Sequence, residues 1–344
     1  MSSPRFSICI PTFNRSSELR QLFDSILGQR FTNYEVICCD DFTPEPARAQ
    51  KREMAQAYER LFDGRLRYVE NPRNLGYDRN LRTAMDYAAG EYIVLMGDDD
   101  LLAPGALEHF DAVLTANSNP RFLLRSYATF RDDPSVQEQI HRYYPRETRF
   151  QPGAETIKRL FHRAVLVSGL VIHRASAVEN RTDKVDGTLY YQLYVIAMIL
   201  SRLPAVATPQ ITVYNRLIGP EKSVFGNSQS EKGFWEPGKR TIASSLYQMK
   251  QYLKVAKIVE DDSGLDVYRG IRNELSKYSY SFLSYHSDKG ARAFIAYARD
   301  LIRAGFGREP FFYVYVTGLL TLGPGRCYWI INQIKRRLGH TPRL

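Results

Sequence analysis

The sequence predicts an α/β protein with a mainly parallel sheet, followed by a helical C-terminal region. Short apolar runs typical of buried strands alternate with helical patterns through the first 115 residues. Strands and helices that alternate in this way form parallel sheets with right-handed crossovers. Polar and acidic residues directly follow four of the strand-like runs. Because ligands bind beyond the carboxyl ends of the strands in such sheets, these residues predict a binding site.

Four strand–helix units are predicted in this part of the chain. The first is a strand at 6–10, followed by a helix with Ser16 or Ser17 as its cap and apolar residues at helical spacing. The later strands are predicted at 34–41, 66–71 and 91–96, and the later helices at 47–61, within 74–90, and from 104 onward. A further buried strand is predicted at 165–174. The strand ends carry Thr12, Asn14, Arg15, Asp40, Asp41, Asn71, Asn74 and Asp98, Asp99 and Asp100.

The acidic triplet Asp98, Asp99 and Asp100 follows the strand-like run EYIVLMG. Three adjacent carboxylates repel one another, so a cation is needed to offset their charge. Oxygen ligands suit Mg²⁺ or Mn²⁺, and these ions in turn hold phosphate groups. The alternative is a solvated acidic turn, since Asp is common in turns and at helix starts. The first strand–helix turn, PTFNRSSE, has no glycine-rich dinucleotide fingerprint, and no phosphate-loop motif is present.

The net charge of +10 favours anionic partners: nucleic acid, anionic lipid or a phosphorylated substrate. No recognised nucleic-acid motif occurs, and acids rather than bases gather at the predicted site, so nucleic acid is not the expected partner. The four cysteines have no metal-ligand spacing and are expected to be reduced thiols. The first residues lack the pattern of a secretory signal, so we expect a cytoplasmic protein.

The motifs IPTFNR (10–15), YEVICCDD (34–41), NLGYDRN (74–80) and GEYIVLMGDDDLLAPGAL (90–107) together resemble the family 2 glycosyltransferases. The chain is most similar in these motifs to bacterial enzymes of O-antigen and surface polysaccharide synthesis, including abequosyltransferase-like members. The resemblance covers about residues 5–115. It implies the GT-A (Rossmann-like) nucleotide-diphospho-sugar transferase fold. It also implies metal-assisted transfer of a sugar from a nucleotide sugar to a glycan acceptor, which we expect to be lipid-linked.

The resemblance also implies a role for each matching residue. Nucleotide-sugar-binding residues are expected at Thr12, Asn14, Arg15, Asp40, Asp41, Asp78, Arg79 and Asp98. Family members carry an Asp-x-Asp-Asp-x-Leu-x-Pro motif, and alignment on its Leu and Pro places Gly97 at the first Asp. Asp99 and Asp100 then become the expected ligands of Mg²⁺ or Mn²⁺, and Asp98 the contact to the ribose.

The general base is the weakest part of the resemblance. Inverting family members use a carboxylate at the start of a helix, and the helical pattern after residue 190 puts Gln192 at that position. Glutamine cannot accept a proton, so the nearest candidate base is Asp186, with Asp183 behind it; Asp186 is equally explained as a loop acid before glycine. Either the base has moved or the stereochemical course differs from inversion.

Three regions are expected: 1–115 as the nucleotide-sugar-binding half of the GT-A domain, 116–230 as its acceptor-binding half, and 231–344 as a helical region. The apolar run 311–322 is too short to span a bilayer. Residues 327–339 combine apolar and aromatic side chains with a basic end, which is typical of a helix at a membrane interface. We therefore expect a peripheral protein on the inner face of the cytoplasmic membrane; the alternative is a terminal helix packed on the core with a solvated basic tail.

Three other functions compete with sugar transfer to a glycan as interpretations of the sequence. A catalytically inactive nucleotide-sugar-binding protein is compatible with glutamine at the base position. Transfer to polyprenyl phosphate normally involves transmembrane helices, and the sequence contains no run of that length. A basic nucleic-acid-binding protein fits the net charge but not the motifs.

Overall fold

The computed structural model describes residues 3–218, 232–233, 235–236 and 238–342. Its strands are β1 (Phe6–Thr12), β2 (Tyr34–Asp40), β3 (Leu66–Glu70), β4 (Tyr92–Leu95), β5 (Leu101–Leu102), β6 (Phe122–Phe130), β7 (Gln139–His141), β8 (Thr148–Phe150), β9 (Leu170–His173) and β10 (Ala205–Arg216). Its helices are α1 (Ser17–Leu27), α2 (Ala47–Leu61), α3 (Tyr77–Asp86), α4 (Ala106–Ala116), α5 (Ala154–Leu160), α6 (Arg174–Glu179), α7 (Tyr191–Leu200), α8 (Ile242–Ser263), α9 (Tyr268–Lys277), α10 (Tyr280–Ser284), α11 (Ala291–Arg303) and α12 (Pro310–Leu338). Short 3₁₀ turns occupy Phe161–Ala164 and Phe306–Arg308.

The described strands form one sheet in the order β3-β2-β1-β4-β9-β6-β10-β5, with β7 paired to β6 and β8 paired to β10. The half β3-β2-β1-β4 is parallel throughout, and β6 and β10 are also parallel. Strand β9 joins the two halves and is antiparallel to both of its neighbours. The predicted α/β fold with a mostly parallel central sheet and a helical C-terminal region is confirmed.

Both faces of the sheet are covered by apolar side chains, which is why strands such as β1 are buried along their whole length. Alternate residues point to opposite faces. Thus Ile8 and Ile10 pack with α1 and α4, whereas Cys9 packs with α3 and the helices that follow β9. The parallel arrangement brings the carboxyl ends of β1, β2, β3 and β4 to one edge of the sheet, as the sequence predicted.

The first four strand–helix units agree with the sequence, and α2 has the predicted bounds. Ser16 stands at the cap position of α1, but its side chain forms no capping hydrogen bond. The strand predicted over 165–174 begins only at Leu170. Gly169 precedes it at a φ of +76°, so the chain turns there instead of continuing as a strand. His173 is structural, because its ring accepts a hydrogen bond from the Ser176 backbone N–H at the start of α6.

The second half of the sheet is built on β6 and β10, the two longest strands. Every residue of β6 is buried, including Arg125. The region boundaries at 115 and 230 stay predictions, and the second lies outside the described residues.

The C-terminal region is helical from α8 onward, and α12 is sharply bent. Gly323 has φ 76° and ψ 167°, which is not helical, and Pro324 follows it, so the helix is broken at this point. A Cβ placed on Gly318 would lie 3.4 Å from the Cys327 sulfur. Residues nine apart in a straight helix are separated by about 13.5 Å. The arms 310–322 and 324–338 therefore fold back on each other, and we call this unit the α12 hairpin.

Among the described residues, the longest apolar helices still fall short of the length and hydropathy that crossing a bilayer requires.

Candidate nucleotide-sugar site

The acidic triplet lies at the carboxyl end of β4, beside the end of β1. Asp98 is buried and accepts hydrogen bonds from the Thr12 hydroxyl at 2.8 Å and from the Arg15 guanidinium at 2.8 Å. The Arg15 Nη1 atom also lies 2.7 Å from an Asp99 carboxylate oxygen. One arginine thus pairs with two neighbouring acids and offsets only part of their charge. Burial opposes the charge of Arg15, but Asp98 and Asp99 outweigh it and raise the pKa of the guanidinium further.

Asp99 keeps one carboxylate oxygen, Oδ1, that accepts no hydrogen bond from the described residues. Burial raises the pKa of Asp99 to about 7, and the neighbouring Asp100 carboxylate raises it in the same direction, although Arg15 works against both. The ionised carboxylate is therefore short of positive charge in its surroundings. Such a group gains from a bound cation.

Asp100 is held on both oxygens by the second half of the sheet. The Ser168 hydroxyl donates to Oδ2 at 2.5 Å, while the Asn215 amide and the Arg216 backbone N–H donate to Oδ1 at 2.9 and 2.8 Å. Burial raises the pKa of Asp100 against these hydrogen bonds. The structure thus connects the end of β10 and the turn before β9 to the predicted metal-binding acids.

The donor set fits a divalent cation bound partly by substrate. In the described residues no group of three or more His, Cys, Asp and Glu side chains is arranged to hold a metal ion. Asp99 offers an oxygen facing Gly97, where a Cβ would lie 3.3 Å from Oδ1. Mg²⁺ is commonly bound by one or two carboxylates together with substrate phosphates. Asp99 and Asp100 can supply this share, and the ion would neutralise charge on a leaving diphosphate.

The end of β2 joins the same network through a buried lysine. Lys51 of α2 is fully buried, and its Nζ lies 2.8 Å from Asp40 and 3.1 Å from the Thr12 hydroxyl. The remaining oxygen of Asp40 accepts the Thr43 backbone N–H at 2.9 Å, and the Thr43 hydroxyl donates to Oδ1 at 2.5 Å. Asp40, which we predicted to contact the base, is thus occupied by protein donors. Together with Thr12 it ties the ends of β1, β2 and β4 together.

Asp41 organises the loop between β3 and α3. It accepts the backbone N–H groups of Leu75 and Gly76 at 2.7 and 2.8 Å and the Asn71 amide at 3.0 Å. Burial raises the pKa of Asp41, and these hydrogen bonds lower it. Both oxygens of Asp41 already accept hydrogen bonds from the protein, so Asp41 has a structural role. Its predicted contact with the nucleobase would come in addition to that role.

Asp78 faces α7, away from the open edge. Its oxygens accept the backbone N–H groups of Leu189 and Tyr191 at 2.8 and 3.0 Å. Burial raises the pKa of this carboxyl to about 7 despite those bonds. Asn14, by contrast, is exposed, has a φ of +53°, and donates its backbone N–H to the Thr43 hydroxyl at 2.9 Å. The side chain of Asn14 is thus accessible at the rim of the site.

Asp186, the predicted base, forms ion pairs with two arginines of α3. Arg79 Nε lies 2.8 Å from one carboxylate oxygen, and Arg82 Nη1 lies 2.6 Å from the other. Arg82 also donates to the first oxygen at 3.0 Å. An acceptor hydroxyl must displace one of these contacts to reach Asp186. Arg79, predicted to contact the base or the diphosphate, is about half exposed and can turn toward a ligand only by leaving this pair.

Gln192, which the sequence analysis aligned with the family's carboxylate, is the second residue of α7 and is buried. Its Nε2 donates to the Val165 carbonyl at 3.1 Å, whereas its Oε1 is buried without a hydrogen-bond partner. Gln192 therefore anchors the segment 165–168 that carries Ser168 to Asp100.

The sequence analysis missed four residues that build this site: Lys51, Arg125, Ser168 and Asn215. Arg125 is fully buried and donates to the carbonyls of Arg163, Leu166 and Ser168 at 3.1, 2.6 and 3.0 Å. It thereby fixes the turn that presents the Ser168 hydroxyl. A basic residue inside the otherwise apolar run FLLRSYATF was the available signal for Arg125. The other three have no sequence pattern of their own.

Comparison with known proteins identifies the N-terminal half. Residues 7–170 match the model of the family described as "Glycosyl transferase family 2". The match covers 164 of the 344 residues, and this part of the chain is similar to the family 2 glycosyltransferases. The predicted resemblance is thereby confirmed, and the matched range includes β1 to β4, the acidic triplet and the segment 165–168.

Among curated proteins, residues of this chain are 31% identical over 105 positions to a GalNAc(5)-diNAcBac-PP-undecaprenol beta-1,3-glucosyltransferase of Campylobacter jejuni, covering 30% of this chain and 32% of that protein. They are 32% identical over 114 positions to the abequosyltransferase RfbV of Salmonella typhimurium, covering 33% of each chain. The chain thus spans about a third of the length of these relatives.

Solved structures match over nearly the whole chain. Staphylococcus aureus TarS 1–349 in complex with UDP-GlcNAc has a TM-score of 0.57 at 13% identity, with 98% of this chain and 93% of that chain covered. The mannosyltransferase PcManGT of Pyrobaculum calidifontis, in complex with GDP-Man and Mn²⁺, has a TM-score of 0.52 at 14% identity, with 97% and 87% covered. These likenesses confirm the GT-A-like fold.

Proposed function

We propose that this protein transfers a sugar from a nucleoside-diphosphate sugar to a glycan acceptor in bacterial surface polysaccharide synthesis, with the help of a divalent cation. The observation that carries the proposal is the arrangement of Asp98, Asp99 and Asp100 beside Thr12 and Arg15 in the part of the chain that is similar to the family 2 glycosyltransferases. Acids at one strand end, with an arginine beside them, are groups that can bind a metal ion together with a diphosphate.

The residues of the site have distinct proposed roles. Asp99 and Asp100 hold Mg²⁺ or Mn²⁺, and Asp98 faces the ribose. Thr12, Asn14 and Arg15 border the nucleotide, with Arg15 available to the diphosphate once the metal neutralises the acids. Asp40, Asp41 and Asp78 support the pocket through their internal hydrogen bonds, and Asp41 also contacts the base. Arg79 reaches the diphosphate from α3.

We propose Asp186 as the general base, acting after one of its two arginines turns to the substrate. A base must come within about 3 Å of the acceptor hydroxyl. If Arg79 moves to the diphosphate, the Asp186 oxygen that it holds becomes accessible while Arg82 still orients the carboxylate. This sequence of events links donor binding to activation of the acceptor.

The acceptor is proposed to be lipid-linked and the reaction to take place at the inner face of the cytoplasmic membrane. The Campylobacter relative is named for an undecaprenol diphosphate glycan. Direct transfer to polyprenyl phosphate is the second candidate within this class, and a nucleotide-sugar-binding protein without activity is the third. The third candidate stays in play because position 192 holds glutamine, which cannot act as the general base.

The test is a donor panel of UDP-, GDP-, dTDP- and CDP-sugars with Mg²⁺ or Mn²⁺, followed by hydrolysis and transfer assays. We expect turnover of one nucleotide class, and its loss in Asp99→Ala by a factor of about 100 or more, because the charge of the leaving diphosphate is then unneutralised. Asp261→Ala, an exposed acid on α8, is the matched control and should keep full activity.

Two outcomes would contradict the proposal in different ways. Tight binding of a nucleotide sugar with no turnover under any condition supports the inactive binder. Full activity in Asp99→Ala refutes the metal assignment while leaving the sugar transfer itself intact.

A further inference from the structure

The α12 hairpin carries most of the exposed large hydrophobic side chains in the described part of the chain. Of 17 such side chains, ten lie on this one helix. They are Phe311, Tyr313, Val314, Leu320, Leu322, Tyr328, Trp329, Ile330, Ile334 and Leu338. Scattered apolar residues are normal on a protein surface, but a concentration on one element marks an interaction surface.

The exposed residues cluster near the bend and along one side of the second arm. Leu320, Leu322 and Tyr328 to Ile330 flank the turn at Gly323, and Trp329 is 63% exposed. Ile330, Ile334 and Leu338 recur every four residues and therefore share one helix face. Only Phe312 and Leu319 of α12 are buried against the protein. The hairpin is thus attached by a few residues and presents the rest outward.

The charge of this segment is of one sign. Residues 310–344 contain no Asp or Glu and five basic residues: Arg326, Lys335, Arg336, Arg337 and Arg343. Two copies of the hairpin packed against each other would bring these bases together, which opposes a symmetric dimer through this surface. An anionic lipid bilayer offers acyl chains to the apolar side chains and negative charge to the basic ones.

We propose that the α12 hairpin docks on an anionic lipid bilayer, with its bend and the outer face of its second arm in the headgroup region. Neither arm is long enough to cross the membrane, so the hairpin lies at the interface. Trp329 and Tyr328 have amphipathic rings of the kind that favour this depth. Arg336 and Arg337 contact the anionic headgroups. The inference deepens the membrane location proposed above by identifying the surface and the lipid charge that it recognises.

The chain contains a natural reporter for this contact. It has two tryptophans, and Trp235 is buried whereas Trp329 lies at the bend. In Trp235→Phe, the emission of Trp329 should shift to shorter wavelength when phosphatidylcholine vesicles with about one third phosphatidylglycerol are added, but not with phosphatidylcholine alone, since each basic side chain near such a surface adds attraction. Co-sedimentation with the same vesicles measures the affinity.

Matched variants separate apolar insertion from charge. Ile330→Ser and Ile334→Ser together should weaken vesicle binding about tenfold or more, whereas Leu61→Ser on α2 should not, although Leu61 is 60% exposed and so more accessible than either isoleucine. Arg336→Gln with Arg337→Gln should weaken it about fivefold per residue, and Arg60→Gln on α2 should leave it unchanged.

Several results would overturn the inference. One is an unshifted Trp329 emission with anionic vesicles, and another is an equal loss of vesicle binding in the Leu61 control. A third is a smaller sedimentation coefficient of the Ile330 and Ile334 variant without vesicles, which would assign the surface to a second copy of the chain. Donor hydrolysis measured without vesicles keeps this test distinct from the proposed function. Hydrolysis should be unchanged in all the hairpin variants, and its absence in the parent protein with vesicle binding intact would refute the function alone.

Discussion

Arg15 pairs with Asp99, one of the two carboxylates proposed to hold the divalent cation, so metal and donor binding should be linked through it. Its guanidinium lies 2.8 Å from Asp98 and 2.7 Å from Asp99. In the protein without donor, a metal ion at Asp99 must displace or weaken the contact between Arg15 and Asp99. A bound diphosphate offers Arg15 a replacement partner. Nucleotide and metal should therefore bind with positive cooperativity.

The size of the effect follows from these contacts. A hydrogen bond to a charged group contributes about 1.5–3 kcal/mol when it is removed from a partly buried site. The free energy lost with the Arg15–Asp99 contact is smaller than this, for two reasons. Arg15 keeps its contact with Asp98, and its side chain is about a quarter exposed, so solvent screens the charge. We take about 1.4 kcal/mol as the free energy by which Arg15 opposes metal binding, which corresponds to a factor of about ten in the affinity for the metal. Arg15→Gln should thus strengthen Mn²⁺ binding to the donor-free protein about tenfold.

The assay is titration of Mn²⁺ by calorimetry with and without a nucleoside diphosphate. It is best done near pH 8, since the raised pKa of Asp99, about 7, otherwise lets protons compete. In Arg15→Gln the nucleotide should no longer strengthen Mn²⁺ binding by the same factor. Arg52→Gln, which removes an exposed arginine paired with Glu70, is the control and should behave like the parent. Unchanged or weaker Mn²⁺ binding in a folded, donor-free Arg15→Gln protein would refute the competition.

Two further predictions concern stability. Asp78 has a pKa raised from near 3.9 to about 7 in the folded protein, so its contribution to stability is greatest below pH 4 and is lost as the pH rises toward 7. Asp78→Asn should therefore be most destabilising at pH 5 and much less so at pH 8 by urea unfolding; a pH-independent difference would contradict this. Arg125→Met leaves three buried carbonyls without a donor and should cost about 3 kcal/mol by the same method, against under about 1 kcal/mol for the partly exposed Arg65→Met. Equal losses in the two arginine variants would show that the three carbonyl contacts contribute little.

The sequence predicted the parallel half of the sheet because each of its strands is a short apolar run ended by a polar residue. That pattern arises from burial on both faces and from the ligand edge at one end. It also predicted that the strand ends converge, and the contacts from Asp40 through Lys51 and Thr12 to Asp98 show that they do. Lys51 itself was not predictable, because a lysine in a polar helix reads as solvated until the fold buries it.

The second half was harder to predict for a physical reason. Strand β10 mixes polar and apolar residues because its pairing with β6 is interrupted by register shifts and its end reaches the site. The strand expected over 165–174 was half wrong, because Arg125 gathers the carbonyls of the preceding turn from a distance of some 40 residues in sequence. Contacts of this range leave no local periodicity to detect.

Gln192 has an anchoring role at the start of α7, whereas the general base that we propose lies elsewhere in the chain. Gln192 has the length and the amide donor to hold the Val165 carbonyl, so the α7 start still supports the turn that carries Ser168 to Asp100. A carboxylate there would have no proton to donate to that carbonyl. The base that we propose, Asp186, lies in the loop before α7, where Arg79 and Arg82 of α3 hold it. Because α3 begins at the Asp41-bound loop, Asp186 and the donor edge of the sheet are connected through one helix. A base positioned in this way responds to what happens at the donor, which a carboxylate fixed on α7 would not.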